Sequence, residues 1–288
     1  MNIIDGKKIG EKIKTKIAKE VFSLIQAGER RPSLAIILAG DRSDSSLYVS
    51  LKEKSAKEVG IDTSLYLIKE DDSEEDFIKT IEFLNIDDSI DGILIQLPLP
   101  KKFNTEKILK KIKPAKDVDG FCVDRPQEIL SPVILAIKES LDSLEKDFNG
   151  KKAFLFYNSE IFKNEVKCFL ETQNISLESF CMKNELIKNN GIPAFAGMTK
   201  EEGMTKGADI LISAVGKPKF IKKELISEGM TIIDIGISKE GEKVFGDVDF
   251  KDVKKLNINI TPVPGGIGPM TVAAVLKNTL IAYKLRKK

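Results

Sequence analysis

The chain has 288 residues, 42% of them hydrophobic, with 46 Lys and Arg against 44 Asp and Glu. That length allows one large or two ordinary globular domains, and a formal charge of +2 lacks the basic footprint of a nucleic-acid or anionic-membrane binder. No stretch nears the roughly 20 apolar residues of a membrane span and residues 1–10 lack the apolar centre of a secretory signal, so a cytoplasmic protein is expected.

In chain order, helical periodicity runs over residues 10–27, 46–59, 74–84, 105–111, 132–144 and 270–285. Short β-branched runs fall between these helices at 34–39, 63–68, 92–97, 153–157, 210–215, 230–235 and 258–260. Such alternation predicts an α/β fold with a mainly parallel sheet. A Pro and a cluster of Asp and Gly at 113–120 interrupt the pattern and mark a boundary, with a first domain over 1–121 and a second reaching 262. Composition leaves open whether the last helix returns to the first domain. Residues 191–206 read GIPAFAGMTKEEGMTK, with GMTK at 197–200 repeated at 203–206, and predict an inserted surface loop.

The chain contains no histidine, which removes the commonest general base and metal ligand. Acid–base work falls to Lys, Asp, Glu, Tyr or Cys, and no metal site is expected. Cys122, Cys168 and Cys181 form no C-x-x-C pair and are odd in number, so free thiols are expected.

Four segments could carry chemistry. Tyr48-Val49-Ser50-Leu51-Lys52 opens a helix that Asp44 or Ser45 could cap and Gly60 could end, with the Tyr and Lys on one face. An ordinary amphipathic surface helix is the plainer alternative. Residues 91–100, DGILIQLPLP, form a buried-type strand whose exit presents Gln96 where parallel strands bind ligands. Lys116-Asp117-Val118-Asp119-Gly120-Phe121 sets two carboxylates on one side of an extended stretch, one of them free to close a structural turn. Residues 261–271, TPVPGGIGPMT, combine stiffness with close backbone approach, as a binding loop needs.

Together with Ile3-Ile4-Asp5-Gly6-Lys7, G-K-P, D-I-G-I and G-D-V, these segments closely resemble the bifunctional methylenetetrahydrofolate dehydrogenase/methenyltetrahydrofolate cyclohydrolase family, the FolD family, over most of the chain. The resemblance implies an N-terminal α/β folate and catalytic domain and a Rossmann-like nucleotide domain. The C-terminal helix would return to the first, giving 1–121 plus 263–288 against 122–262. It implies NADP, or NAD, as cofactor, a tetrahydrofolate derivative as substrate and a homodimer.

By the same resemblance Lys52 is the catalytic acid–base group, Gln96 positions it, Tyr48 packs near the folate aminobenzoate and Asp119 bonds the pterin. Leu97, Pro98, Gly266, Pro269 and Thr271 shape the folate site. Ser159, Val215, Gly216, Gly236 and Ile237 contact the nucleotide. In the family reaction, NADP-dependent oxidation of methylenetetrahydrofolate yields a methenyl cation that water opens to formyltetrahydrofolate.

The family's nucleotide loop reads G-R-S-x-x-V-G-x-P, whereas this chain has Tyr157-Asn158-Ser159-Glu160-Ile161-Phe162-Lys163-Asn164-Glu165. Side chains replace glycines, Asn replaces Arg, and Glu160 adds negative charge near the expected phosphates. The family's P-C-T-P-x-G gives way to Ile129-Leu130-Ser131-Pro132-Val133-Ile134, and the approach from Phe121 is shortened. These departures leave two alternatives to the full enzyme: a cyclohydrolase without hydride transfer, and a non-catalytic folate-binding homologue.

Overall fold

A computed structural model describes residues 1–122, 124–183, 207–241 and 243–287; the loop expected at 191–206 lies outside them. The elements in chain order are β1 (Asn2–Ile3), α1 (Gly6–Gln26), β2 (Ser33–Ala39), α2 (Ser43–Val59), β3 (Asp62–Ile68), α3 (Glu74–Ile86), β4 (Gly92–Ile95), α4 (Thr105–Leu109), α5 (Pro132–Asp142), β5 (Lys152–Tyr157), α6 (Glu160–Thr172), β6 (Ser176–Cys181), β7 (Ile210–Ala214), β8 (Thr231–Asp234), β9 (Ser238–Glu240), β10 (Lys243–Phe245), β11 (Asn259–Ile260) and α7 (Ile267–Leu285). They divide into two compact units, residues 10–135 with 270–288, and residues 1–9 with 136–269. The division expected from sequence differs in three places: residues 1–9 join the second unit, where Asn2 and Ile3 pair in parallel with Asn259 and Ile260, residues 122–135 stay with the first, and residues 263–269 stay with the second.

In the unit of residues 10–135 and 270–288, β3, β2 and β4 form a parallel sheet with β2 at its centre. Six of the seven residues of β2 are buried, as a strand covered on both faces requires. Phe77, Ile81 and Leu84 of α3 repeat at three and four residues and pack on Ala35, Ile37, Ile93 and Ile95. Ser73 caps this helix by accepting from Asp76 N at 3.1 Å, and three acidic residues in the first turn suit its dipole. The C-terminal helix α7 belongs to this unit from Met270 onward; Lys284 bonds Glu20 of α1, and Arg286 donates to the carbonyl of Ile90 at 2.9 Å. Buried Asp91 is held by Arg30 at 2.7 Å through both carboxylate oxygens and by Ser33 N at 2.9 Å.

The other unit is built on a six-stranded parallel sheet in the order β1-β11-β8-β7-β5-β6. Phe154, Phe156, Leu211, Ile232 and Ile260 fill its core. From β5 the chain passes to β6 on one side and returns to β7 on the other, so the carboxyl ends of β5 and β7 flank a topological switch point. Among the described residues no helix is long and apolar enough to cross a membrane.

Candidate active site

Helix α2 carries Tyr48 and Lys52 one turn apart. Its N-cap is Arg42, with no side-chain cap bond, which corrects the expected cap at Asp44 or Ser45: the helix begins at Ser43, so both lie inside its first turn. Gly60 ends it in the left-handed region (φ 80°), donating to the carbonyls of Ala56 and Lys57. Tyr48 is 48% exposed, as a ring available to a ligand must be.

Strand β4 stops at Ile95, and Gln96 extends its ladder by one bond, N–H to Ile37 O at 2.9 Å. The Gln96 side chain accepts from Lys52 Nζ at 2.9 Å and donates to Leu97 O at 2.7 Å, so the amide oxygen faces the ammonium. Leu97 precedes a cis peptide to Pro98, and its side chain packs against the α3 side of the sheet while Pro98 is exposed.

The two aspartates of the Asp117-Val118-Asp119 segment separate in role. Asp117 is fully buried and closes a turn, accepting Gly120 N at 2.9 Å and Cys122 N at 2.5 Å. Gly120 is required there: its φ is +79°, and a Cβ would lie 2.8 Å from Ser131 Cα. Arg125 laces the following segment by donating to the carbonyls of Gly120, Cys122 and Ile129 at 2.7, 2.9 and 3.0 Å. Asp119, partly exposed, is thereby left for chemistry. Sequence reasoning missed Asn278 of α7, whose amide donates to Val118 O at 2.9 Å and Leu130 O at 2.7 Å, fixing the backbone beside Asp119. Only its polarity within an apolar helix signalled it.

The electrostatics tie Lys52 to Asp119. Burial lowers the Lys52 pKa, and the charge of Asp119 opposes that shift. Burial pushes the Asp119 carboxyl up to about 6, Lys52 pulling it down and Asp117 adding to the rise. A lysine that releases its proton more readily, beside a carboxyl titrating near neutrality, can exchange protons at working pH. Thr271 lies in the same unit, in the first turns of α7, whereas Gly266 and Pro269 belong to the other. There Gly266 abuts Gly6 so closely that a Cβ on Gly6 would meet the Gly266 carbonyl oxygen.

The expected nucleotide contacts stand at the carboxyl ends of three strands. After β7, Val215 N and Lys217 N donate to Asp247 at 2.8 and 2.9 Å, and Gly216 (φ +71°) has open space where a Cβ would stand. After β8, Gly236 N donates to Asp234 at 3.1 Å, and Ile237 is 57% exposed. A Cβ on Gly236 would strike the Asp247 carboxylate at 2.1 Å, so this glycine serves internal packing first. Asp234 also accepts Asp247 N and Val248 N at 3.0 and 2.9 Å; burial pushes its carboxyl up to about 7 against these donors. The β7 and β8 exits therefore fit a dinucleotide: stiff turns with an open glycine.

The β5 exit is different. Ser159 caps α6 with a 3.4 Å bond from Phe162 N. Glu160 accepts from Tyr157 Oη at 2.8 Å and Lys163 Nζ at 2.9 Å, which hold its carboxyl below the ordinary range. The first residue of α6 is thus a carboxylate engaged by its own chain.

Comparison with known proteins finds two family models along the chain. The model of the tetrahydrofolate dehydrogenase/cyclohydrolase catalytic domain matches residues 4–119, and that family's NAD(P)-binding domain matches residues 132–287. The bifunctional protein FolD of a Sulfurihydrogenibium species is 39% identical over 99% of this chain and 98% of its own. The bifunctional FolD structure from Campylobacter jejuni superposes with a TM-score of 0.88 at 32% identity, covering 99% of each chain. The Trypanosoma brucei methylenetetrahydrofolate dehydrogenase-cyclohydrolase, a complex with NADP cofactor and inhibitor, gives 0.87 at 28% identity over 99% of this chain and 98% of that one. The chain belongs to the tetrahydrofolate dehydrogenase/cyclohydrolase family.

Proposed function

We propose that this chain works in one-carbon folate metabolism as both methylenetetrahydrofolate dehydrogenase and methenyltetrahydrofolate cyclohydrolase. The observation that carries the reading is the Lys52–Gln96 bond beside Asp119: a lysine with a lowered pKa, aimed by an amide whose other end is fixed. In the hydrolytic step Lys52 handles the proton of the attacking water, and the methenyl cation itself favours the neutral amine. Asp119 accepts N–H donors of the pterin, and the Tyr48 ring lies along the aminobenzoate. Leu97, Pro98 and Thr271 complete the folate site within this unit.

A nicotinamide dinucleotide, NADP or NAD, supplies the hydride acceptor when bound. Val215, Gly216, Gly236, Ile237 and Ser159 would hold it in the unit of residues 1–9 and 136–269, while Lys52, Gln96 and Asp119 handle folate in the other. A homodimer in the cytoplasm completes the reading, carried over from the family. The test is spectroscopic: nucleotide-dependent conversion of methylenetetrahydrofolate, and hydrolysis of methenyltetrahydrofolate without nucleotide. Hydrolysis alone would favour a cyclohydrolase that has lost hydride transfer, a reading supported by the carboxylate at the start of α6.

Asp119→Asn tests the pterin role and carries a pH signature. It should weaken binding of a folate analogue in calorimetric titration by about 1.5–3 kcal/mol, the range for a charge-assisted bond. Because the folded pKa of about 6 exceeds the unfolded value, native Asp119 holds its proton more tightly than the unfolded chain does. Stability from this group is therefore full below about pH 4 and falls as pH rises toward 6. Asn should thus match wild type in urea unfolding near pH 4 and exceed it above pH 7 by about 1–3 kcal/mol, the lower figure reflecting residual exposure. Unchanged folate affinity would remove Asp119 from the site.

A further inference from the structure

We propose that Glu160 reads the adenosine ribose of the dinucleotide and favours a free 2′-hydroxyl, so that the site takes NAD in preference to NADP; this rests on the dehydrogenase reading above. In doubly wound sheets that ribose is read near the end of the second strand of the binding half, by an acid for a hydroxyl or by a basic group for a 2′-phosphate. Here that strand is β6, and the described residues that follow it, Met182 and Lys183, include no acid.

Glu160 stands in for the acid from the neighbouring turn. Its partner Tyr157 pairs with Cys181, the last residue of β6, on one side and with Ala214 of β7 on the other, and the Tyr157 hydroxyl donates to Glu160 Oε1 at 2.8 Å. The charge of Lys183 is felt at the same carboxylate. Glu160 therefore lies at the carboxyl end of β5, within reach of the charge that follows β6.

Hydrogen-bonding valence decides what can bind there. The two Glu160 oxygens each accept one bond, from Tyr157 and from Lys163, and each keeps a lone pair for a ribose hydroxyl. Asn158, where the family loop has Arg, donates its Nδ2 to Val215 O at 2.6 Å across the β5–β7 switch point and brings no positive charge. A hydroxyl has a proton to give to such acceptors, whereas a 2′-phosphate brings negative charge and needs donors. Among the described cations whose charge acts on Glu160, Lys163 is engaged by it and exposed Lys183 favours a phosphate.

The experiment is calorimetric titration of the folate-free protein with NAD and with NADP. Wild type should bind NAD about tenfold or more tightly than NADP, and Glu160→Gln should cut the ratio below about threefold, chiefly by improving NADP. Glu160→Arg should reverse the preference. Melting curves guard against misfolding, and residue 160 is a helix-end surface position where either side chain is tolerated. Tighter NADP than NAD binding in wild type overturns the proposal. So does an equal gain for both nucleotides in Glu160→Gln, which would set the carboxylate against the shared pyrophosphate. Binding of neither nucleotide would overturn the dehydrogenase reading and this inference with it.

Discussion

Replacing Lys52 by Met is expected to cut methenyl hydrolysis by about a thousandfold, within the range for losing a positioned acid–base group. Met preserves the length and apolar stem of lysine, so packing along α2 is retained while the ammonium disappears. The chain has no histidine to substitute for it, and the Tyr48 hydroxyl ends an exposed ring. The lost bond leaves the Gln96 oxygen at a partly exposed position where water can satisfy it, so folding stability should change by less than about 1 kcal/mol. The assay is the loss of methenyl absorbance in a buffer with slow background hydrolysis, with urea unfolding alongside. Gln96→Ala should act in the same direction but less strongly, because Gln96 aims the lysine without touching the proton in transit. Hydrolysis near the wild-type rate in Lys52→Met would take the lysine out of the mechanism.

The fold and the folate side were legible where the chain writes buried, regular patterns. The parallel β2, β3 and β4 run and the stop at Gly60 follow from local rules that tertiary context leaves intact. The element pair α6 and β6 was not read. The Ser176–Cys181 strand is an edge with no fully buried residue, and helix α6 buries only Val166, Phe169 and Leu170 of its thirteen residues. Neither supplies the apolar run that marks a covered element. At the site, Lys52 of the Tyr48–Lys52 segment bonds Gln96 at the exit of β4, but two features were invisible in one dimension. Which of Asp117 and Asp119 closes the turn depends on Gly120 and Cys122 folding back onto Asp117. Asn278, some 160 residues away in sequence from Val118, anchors that segment only after α7 packs there.

Asp247 shows the same limit on the nucleotide side, and its replacement should have the largest stability effect in that unit. Sequence reading took Gly216 and Gly236 as the contacts and assigned the Asp of G-D-V no task, yet this carboxylate is fully buried and organises both turns. It accepts from Ser213 Oγ at 2.6 Å, Val215 N at 2.8 Å and Lys217 N at 2.9 Å, while the missing side chain of Gly236 makes room for it. Asp247→Ala strips partners from three donors and leaves a void against Gly236. Each buried donor left unpaired costs roughly 1–3 kcal/mol, so a loss of about 3–5 kcal/mol is expected after partial hydration of the Lys217 amide. Asp247→Asn keeps one oxygen acceptor and should lose less than half as much. With the turn at Val215–Lys217 no longer held, nucleotide affinity should fall in both variants, more in Ala than in Asn. Urea unfolding and nucleotide titration of the same preparations provide the readouts. If Asp247→Ala unfolds within about 1 kcal/mol of wild type, the three donors find other partners and the turn is held by the strands alone.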